Sequence, residues 1–234
     1  MDKLELGELK QLTNQEKEVY RTLRTNLEFT GVENRVVAVT SCAPDEGKST
    51  VSYNLARVLA SAGKNTLHID ADMRKSVLSN RHQIAGIEKG LSHYLSGQAD
   101  MTEVVYATNK KNFFMLPCGL FPTNPTELLG NGRMEKLLAG LKKTFDYIII
   151  DTPPLGSVID SAVIAEECDG SIMVMESGVI SYRFAQDVKG QLEKCNCPIL
   201  GVILNKVDMS KQGYYGKYYG KYYGKYGEKQ TSKK

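Results

Sequence analysis

The chain has no tryptophan, three histidines, and five cysteines that form no metal-ligand pattern. Cys42, Cys118, Cys168, Cys195 and Cys197 are odd in number and scattered, with only Cys195 and Cys197 close-set. That usage argues against a disulfide framework and a zinc module, and the thiols read as reduced, mostly buried small side chains. No apolar run approaches the ~20 residues a membrane-spanning helix needs, and no secretory leader pattern opens the chain. A cytosolic protein is expected. The net charge of +3 is modest and uneven: residues 211–234 carry seven lysines and one glutamate, or +6, which leaves −3 for the rest. A body of that sign is not a nucleic-acid-binding surface, and only the tail is basic.

The 234 residues suit one α/β domain with helices on both faces of a parallel sheet. Residues 14–30 have a helical pattern, with Asn14 as N-cap and Gly31 as stop. Residues 35–40 form a short apolar strand, and a loop leads into a helical pattern over 48–62, carried by Val51, Leu55, Val58 and Leu59. Further strands are expected at 65–69, 113–116, 147–150, 171–175 and 199–204, with a helix within 127–143. Residues 73–112 are polar and less regular, with short helices. Continuous apolar strands alternating with helices indicate a mostly parallel sheet buried on both faces. The apolar signal stops after Asp208, so the expected division is a folded domain over 1–209 and a flexible, disordered tail over 210–234.

Ser41-Cys42-Ala43-Pro44-Asp45-Glu46-Gly47-Lys48-Ser49-Thr50 lies between the first long strand and its helix, where a phosphate-binding P-loop belongs. Gly47-Lys48-Ser49 matches the second half of G-x-x-x-x-G-K-[ST], although the first glycine of that pattern falls at Cys42. In such a loop, backbone N–H groups, including those of Asp45, Glu46 and Gly47, face phosphate. Lys48 would reach the β- and γ-phosphates, Ser49 would ligate Mg²⁺, and Thr50 would lie near the α-phosphate. Asp70 and Asp72 stand at the end of the second long strand, followed by Arg74. Asp151 ends the apolar run 147–150 and precedes Thr152-Pro153-Pro154, in the manner of a Walker B strand. Ligands of open α/β sheets gather at the carboxyl ends of strands, so three acids converge where Mg·ATP would lie.

The tail holds seven of the thirteen tyrosines: Tyr214, Tyr215, Tyr218, Tyr219, Tyr222, Tyr223 and Tyr226, in a Tyr-Tyr-Gly-Lys repeat. Gly and Lys interleaved with the rings oppose both burial and regular structure. The degenerate Walker A, the Asp-x-Asp-x-Arg, the Ile-Ile-Asp-Thr-Pro-Pro string and this tyrosine cluster together resemble the bacterial tyrosine kinases. They are closest in kind to the cytoplasmic capsular and exopolysaccharide kinases of Gram-positive bacteria. Residues 122–129 and Glu18-x-x-Arg21-x-x-Arg24 extend the resemblance over nearly the whole chain. It implies ATP- and Mg²⁺-dependent autophosphorylation of the tail, with Lys48, Asp70, Asp72 and Asp151 as catalytic elements. Ser49, Asp72 and Asp151 would organise the metal, Arg74 would contact phosphate or a neighbouring subunit, and Asn205 would lie near the base or cap a strand end. It further implies ring assembly through Glu18, Arg21 and Arg24, and a separate transmembrane activator, a polysaccharide co-polymerase, at the inner face of the membrane. A tyrosine phosphatase and other protein substrates belong to the same expectation.

Asp45 stands where the family often has glycine, so a left-handed backbone there would fall on a residue that tolerates it at some cost. Partitioning and septum-site ATPases are the nearest alternative, but their signature lysine would occupy the position of Ala43. The glycine-punctuated tail also lacks their apolar helix face. Asn205-Lys206-Val207-Asp208 matches a guanine-recognition string, yet no glycine follows Asp151 at the spacing a GTPase uses.

Overall fold

The computed structural model describes residues 3–7, 12–76 and 89–208. The tail with its seven tyrosines, and residues 77–88 of the polar middle segment, lie outside the described residues.

Eight strands form one sheet: β1 (Lys3–Leu4), β2 (Val36–Ser41), β3 (Thr66–Asp70), β4 (Tyr106–Thr108), β5 (Phe113–Leu116), β6 (Tyr147–Asp151), β7 (Gly170–Glu176) and β8 (Ile199–Asn205). Their order across the sheet is β1-β4-β5-β3-β6-β2-β7-β8. Every neighbouring pair is parallel except β4 and β5. Parallel strands require crossovers, and the described helices supply them on both faces: α1 (Asn14–Phe29), α2 (Lys48–Ser61), α3 (Leu91–Leu95), α4 (Met101–Val104), α5 (Pro125–Leu129), α6 (Arg133–Leu141), α7 (Asp160–Ala165) and α8 (Tyr182–Lys194).

The strands are apolar throughout because alternate side chains enter two different cores. Val37, Val39 and Ile149 pack on the α2 face with Val51, Leu55 and Leu59. Leu67, Ile148 and Ile150 point the other way, toward Leu137, Leu141 and Phe145 at and beyond the end of α6. Full burial of one such side chain contributes about 1.5–3 kcal/mol, so these two layers carry much of the fold's stability. All five cysteines are free, four buried and Cys168 partly so.

Several boundaries differ from expectation for local reasons. The cap of α1 is Thr13, one residue earlier than Asn14: the Glu16 N–H donates to Thr13 Oγ1 at 3.2 Å, and the Thr13 N–H donates to Glu16 Oε2 at 2.7 Å. This reciprocal box satisfies two N–H groups the helix would leave open. The helix expected within 127–143 is α6; the short α5 before it was not expected, and the two are divided where Gly132 takes φ 74°. Two strands escaped the periodicity reading, β1 with two residues and β4 with three, since neither is long enough to show a period.

Leu55 is fully buried between α2 and the sheet, directly behind the phosphate-loop helix. Leu55→Ala is expected to cost about 2–5 kcal/mol in urea unfolding, and because α2 carries Lys48 and Ser49, to weaken nucleotide binding as well.

Candidate active site

Strand register builds the site. Asp70 pairs in register with Asp151 across β3 and β6, and Asp151 pairs with Val39 of β2, two residues before the loop. Adjacent parallel strands lie about 4.8 Å apart, so the two carboxylates and the start of the P-loop stand side by side at the carboxyl edge. The β6 exit is stitched to the β2 exit. The Thr40 hydroxyl donates to the Pro153 carbonyl at 2.9 Å, the Thr152 hydroxyl donates to the Val39 carbonyl at 3.0 Å, and the Leu155 N–H donates to the Ser41 carbonyl at 2.9 Å. Gly156 follows, and a Cβ there would meet the Cys42 carbonyl oxygen at 2.2 Å and the Phe184 ring at 2.6 Å.

The loop has its expected shape. Asp45 adopts φ 64°, in the left-handed region, and Gly47 adopts φ 92°. The Glu46 carboxylate accepts from the Ala43 N–H at 2.6 Å and the Glu176 N–H at 2.9 Å, which ties the loop to the end of β7. Asn205, the last residue of β8, donates its side-chain amide to the Glu46 carbonyl at 2.8 Å. A Cβ on Gly47 would collide with that amide at 2.2 Å. Lys206 donates to the Asp45 carbonyl and the Glu176 carboxylate, both at 2.7 Å. Glu46 and Asn205 therefore brace the loop, through the Glu46 carboxylate and the Asn205 side-chain NH2. Thr50 lies one turn into α2 with its side chain exposed.

Lys48 stands among the acids. Its ammonium donates to Asp72 Oδ2 at 3.0 Å and to Ser49 Oγ at 3.2 Å, and lies 3.7 Å from Asp151 Oδ1. Burial pulls its pKa down, but the charges of Asp151, Asp72 and Asp70 outweigh that and hold it above the ordinary value. Asp151 is raised, chiefly by burial, against the pull of Lys48 and the Ser49 hydroxyl. Asp70 is pushed up to about 7 by burial and by the Asp151 and Asp72 charges, although Ser76 donates its hydroxyl to it and Lys48 opposes the shift.

Arg74 turns its guanidinium to Asp160 at the start of α7, through Nε at 2.7 Å and Nη2 at 3.0 Å. Thr126 of α5 donates to the same carboxylate at 2.6 Å and accepts from Arg74 at 3.2 Å. Asp160 was not foreseen; an acid at a helix start on the carboxyl side of Thr152-Pro153-Pro154 was the available signal. Ser52 and buried His68 were also missed: Ser52 Oγ lies 3.1 Å from His68 Nε2, beneath the first turn of α2. Glu18, Arg21 and Arg24 lie on α1 outside this cleft. Glu18 pairs with Arg21, and Arg24 lies 3.8 Å from Glu28, both within the helix.

The cleft has a volume of about 190 Å³ and is walled by Lys48, Ser49, Asp72, Arg74, Pro154 and Val158, among others. Among the described residues no cluster of three His, Cys, Asp or Glu side chains is built to hold a metal ion alone. Mg²⁺ rarely needs one, since it keeps several waters and shares its shell with substrate phosphates. The residues fit it: Asp151 Oδ1 is buried without a hydrogen-bond donor among the described residues, and the Ser49 hydroxyl stands on the adjoining helix turn.

A glycine-containing loop between a buried strand and a helix, with a lysine and strand-end acids, defines a P-loop nucleoside triphosphatase fold. The AAA domain family matches residues 34–186. The tyrosine-protein kinase CpsD of Streptococcus agalactiae is 45% identical over 206 residues, covering 86% of this chain and 90% of that protein. The tyrosine-protein kinase YwqD of Bacillus subtilis is 39% identical and covers 85% and 86%. Among solved structures, the kinase domain of the Escherichia coli tyrosine kinase ETK superposes with a TM-score of 0.78 at 36% identity, covering 82% of this chain and 76% of that one. The chain belongs to the bacterial tyrosine kinases, in the Gram-positive type.

The raised Asp70 has a consequence for stability. The folded protein keeps that proton up to about pH 7, whereas the unfolded chain releases it near the ordinary value of 3.8. Between those pH values the folded state binds more protons, so this group's contribution to stability falls as pH rises and levels off above about 7. Asp70→Asn is expected to flatten that slope and raise Tm near pH 8, read by thermal unfolding in chelator-treated protein without nucleotide.

Proposed function

We propose that this tyrosine kinase transfers the γ-phosphoryl group of ATP to the tyrosines of its own tail, from one subunit to the next. The observation that carries the reading is Lys48 clamped beside Asp72 and Asp151 at the mouth of the P-loop, in a kinase-family chain that ends in seven tyrosines. Lys48 would trade its Asp72 contact for the β- and γ-phosphates and offset charge on the transferring group. Ser49, Asp72 and Asp151 would hold Mg²⁺ or its waters, and the ion would offset negative charge on the phosphates. The N–H groups of residues 45–47 would line the phosphates.

Asp70 is the residue suited to take the phenol proton. A carboxyl whose pKa stands near 7 is a stronger base than an ordinary one, and it can accept and release a proton near neutral pH. A phenol has a pKa of about 10, so positioning with modest base assistance suffices.

Seventeen residues separate Met209 from Tyr226, at most roughly 60 Å when extended, which is long enough to serve a neighbour's site. Glu18, Arg21 and Arg24 are proposed to hold that neighbour. The Glu18–Arg21 pair within one exposed helix is worth only a few tenths of a kcal/mol and is easily exchanged for an intersubunit pair. A transmembrane activator would recruit the protein to the inner membrane face and favour its ATP-bound form, coupling tail phosphorylation to capsular or exopolysaccharide output. No helix among the described residues is long and apolar enough to cross a membrane.

Incubation with Mg·ATP and activator segment, followed by phosphate mapping by mass spectrometry, is expected to place phosphate within residues 214–226. Lys48→Met should abolish it. Hydrolysis without tail phosphate would instead favour a nucleotide-switched ATPase or scaffold. Each phosphate adds about −1.5 to −2 charge, so about three or four cancel the tail's positive charge of +6. An assembly held by tail docking should therefore shift to lower mass on phosphorylation in solution sizing, and unchanged mass would refute tail-dependent assembly.

A further inference from the structure

A second cleft, of about 430 Å³, opens between α3, the loop after β5, and α5. Its walls carry Ser92 and His93 from α3, Leu120 and Pro122 from the loop, Glu127 from α5, and Asn131 just beyond. None of these residues borders the nucleotide cleft.

Its chemistry is specific. Leu120 is 71% exposed and the adjoining Phe121 60% exposed, an apolar rim left in water. Ser92 is a buried residue whose hydroxyl has no hydrogen-bond partner among the described residues. His93 Nδ1 accepts the Gly90 N–H at 3.1 Å, which leaves the neutral ring's proton on Nε2 as a donor. Glu127 is exposed, accepts an amide from Asn124 at 3.2 Å, and has no ion pair among the described residues. Apolar rim, hydroxyl, ring N–H and one open carboxylate suit a ligand that presents phenols and an ammonium group.

Among the described residues the lining contains neither Arg nor Lys. Phosphotyrosine recognition relies on arginine, and a phosphate beside Glu127 would meet like charge. Such a lining would favour an unmodified tyrosine over a phosphorylated one.

Topology brings such a ligand near. β5 and β8 run in the same direction, so the loop after β5 and the chain leaving β8 lie on the same edge of the sheet. Five strand spacings separate them, about 24 Å. A hydrogen bond links the walls of the two clefts: Arg74 of the nucleotide cleft donates to Thr126, and Glu127 is the next residue. One Tyr-Tyr-Gly-Lys repeat spans at most about 13–14 Å.

We propose that this cleft is a docking groove for the unphosphorylated tail, holding one repeat by its rings and lysine while a repeat further along reaches the nucleotide cleft of the neighbouring subunit. The proposal rests on the reading of the tail as acceptor. Phosphorylated repeats leave the groove and unmodified ones replace them, so the tail advances by exchange.

The test uses the full-length chain with the photo-cross-linker benzoylphenylalanine at position 218, irradiated without ATP and mapped by mass spectrometry. Adducts are expected within residues 92–98 and 120–131. A synthetic peptide of residues 212–227 should compete them away, and the same peptide phosphorylated on its tyrosines should not. Glu127→Lys should lower adduct yield about threefold to tenfold, and Glu127→Gln less, both with unchanged Tm. Adducts confined to other regions, equal competition by the phosphopeptide, or an unchanged yield in Glu127→Lys would each overturn the groove. Phosphate transfer without groove adducts refutes the groove alone, whereas groove adducts without transfer refute the kinase reading alone.

Discussion

A single ammonium group, that of Lys48, makes the carboxyl edge of this sheet tolerable. Asp70, Asp72 and Asp151 are all nearly inaccessible to water, and Asp70 and Asp151 face each other in register. Three buried anions at that spacing would repel one another strongly and lose most of their hydration. Lys48 partly compensates Asp72 and Asp151 directly, and Asp70 adapts by holding its proton more tightly. The site therefore stores an electrostatic imbalance that a phosphate-bound cation would relieve. Helix α2, the loop before it and the strand ends are arranged to keep that one side chain in place.

The same loop shows how a degenerate motif keeps its geometry. Cys42 occupies the position of the first glycine and Asp45 that of a later one, yet Asp45 still takes the left-handed backbone. The strain is held by contacts from distant chain segments. Lys206 grips the Asp45 carbonyl, Asn205 grips Glu46, and the Glu46 carboxylate reaches the β7 terminus. The string Asn205-Lys206 fastens the end of β8 to the phosphate loop.

Much of this was legible from residue order. Long apolar strands announce themselves, and the strand-loop-helix around Lys48 together with strand-end Asp70 and Asp151 marks the cleft in the sequence. Elements too short to have a period, such as β1 and β4, were not legible. Nor were partners far apart in sequence. The clasp of Arg74 by Asp160 and Thr126 joins three segments through side chains whose meeting depends on how α5 and α7 pack. The Thr13 cap of α1 turned on which of two neighbouring residues faced the helix, a choice made by backbone angle.

Gly156 belongs to no recognisable motif and is absent from the described lining of the nucleotide cleft. With no side chain, it lets the Cys42 carbonyl and the Phe184 ring tip share one narrow space. In a mutational survey, position 156 should tolerate as little as the phosphate loop itself. For anyone engineering this enzyme, the forbidden region is therefore larger than its motif, and it extends to the face where α8 leans on the loop.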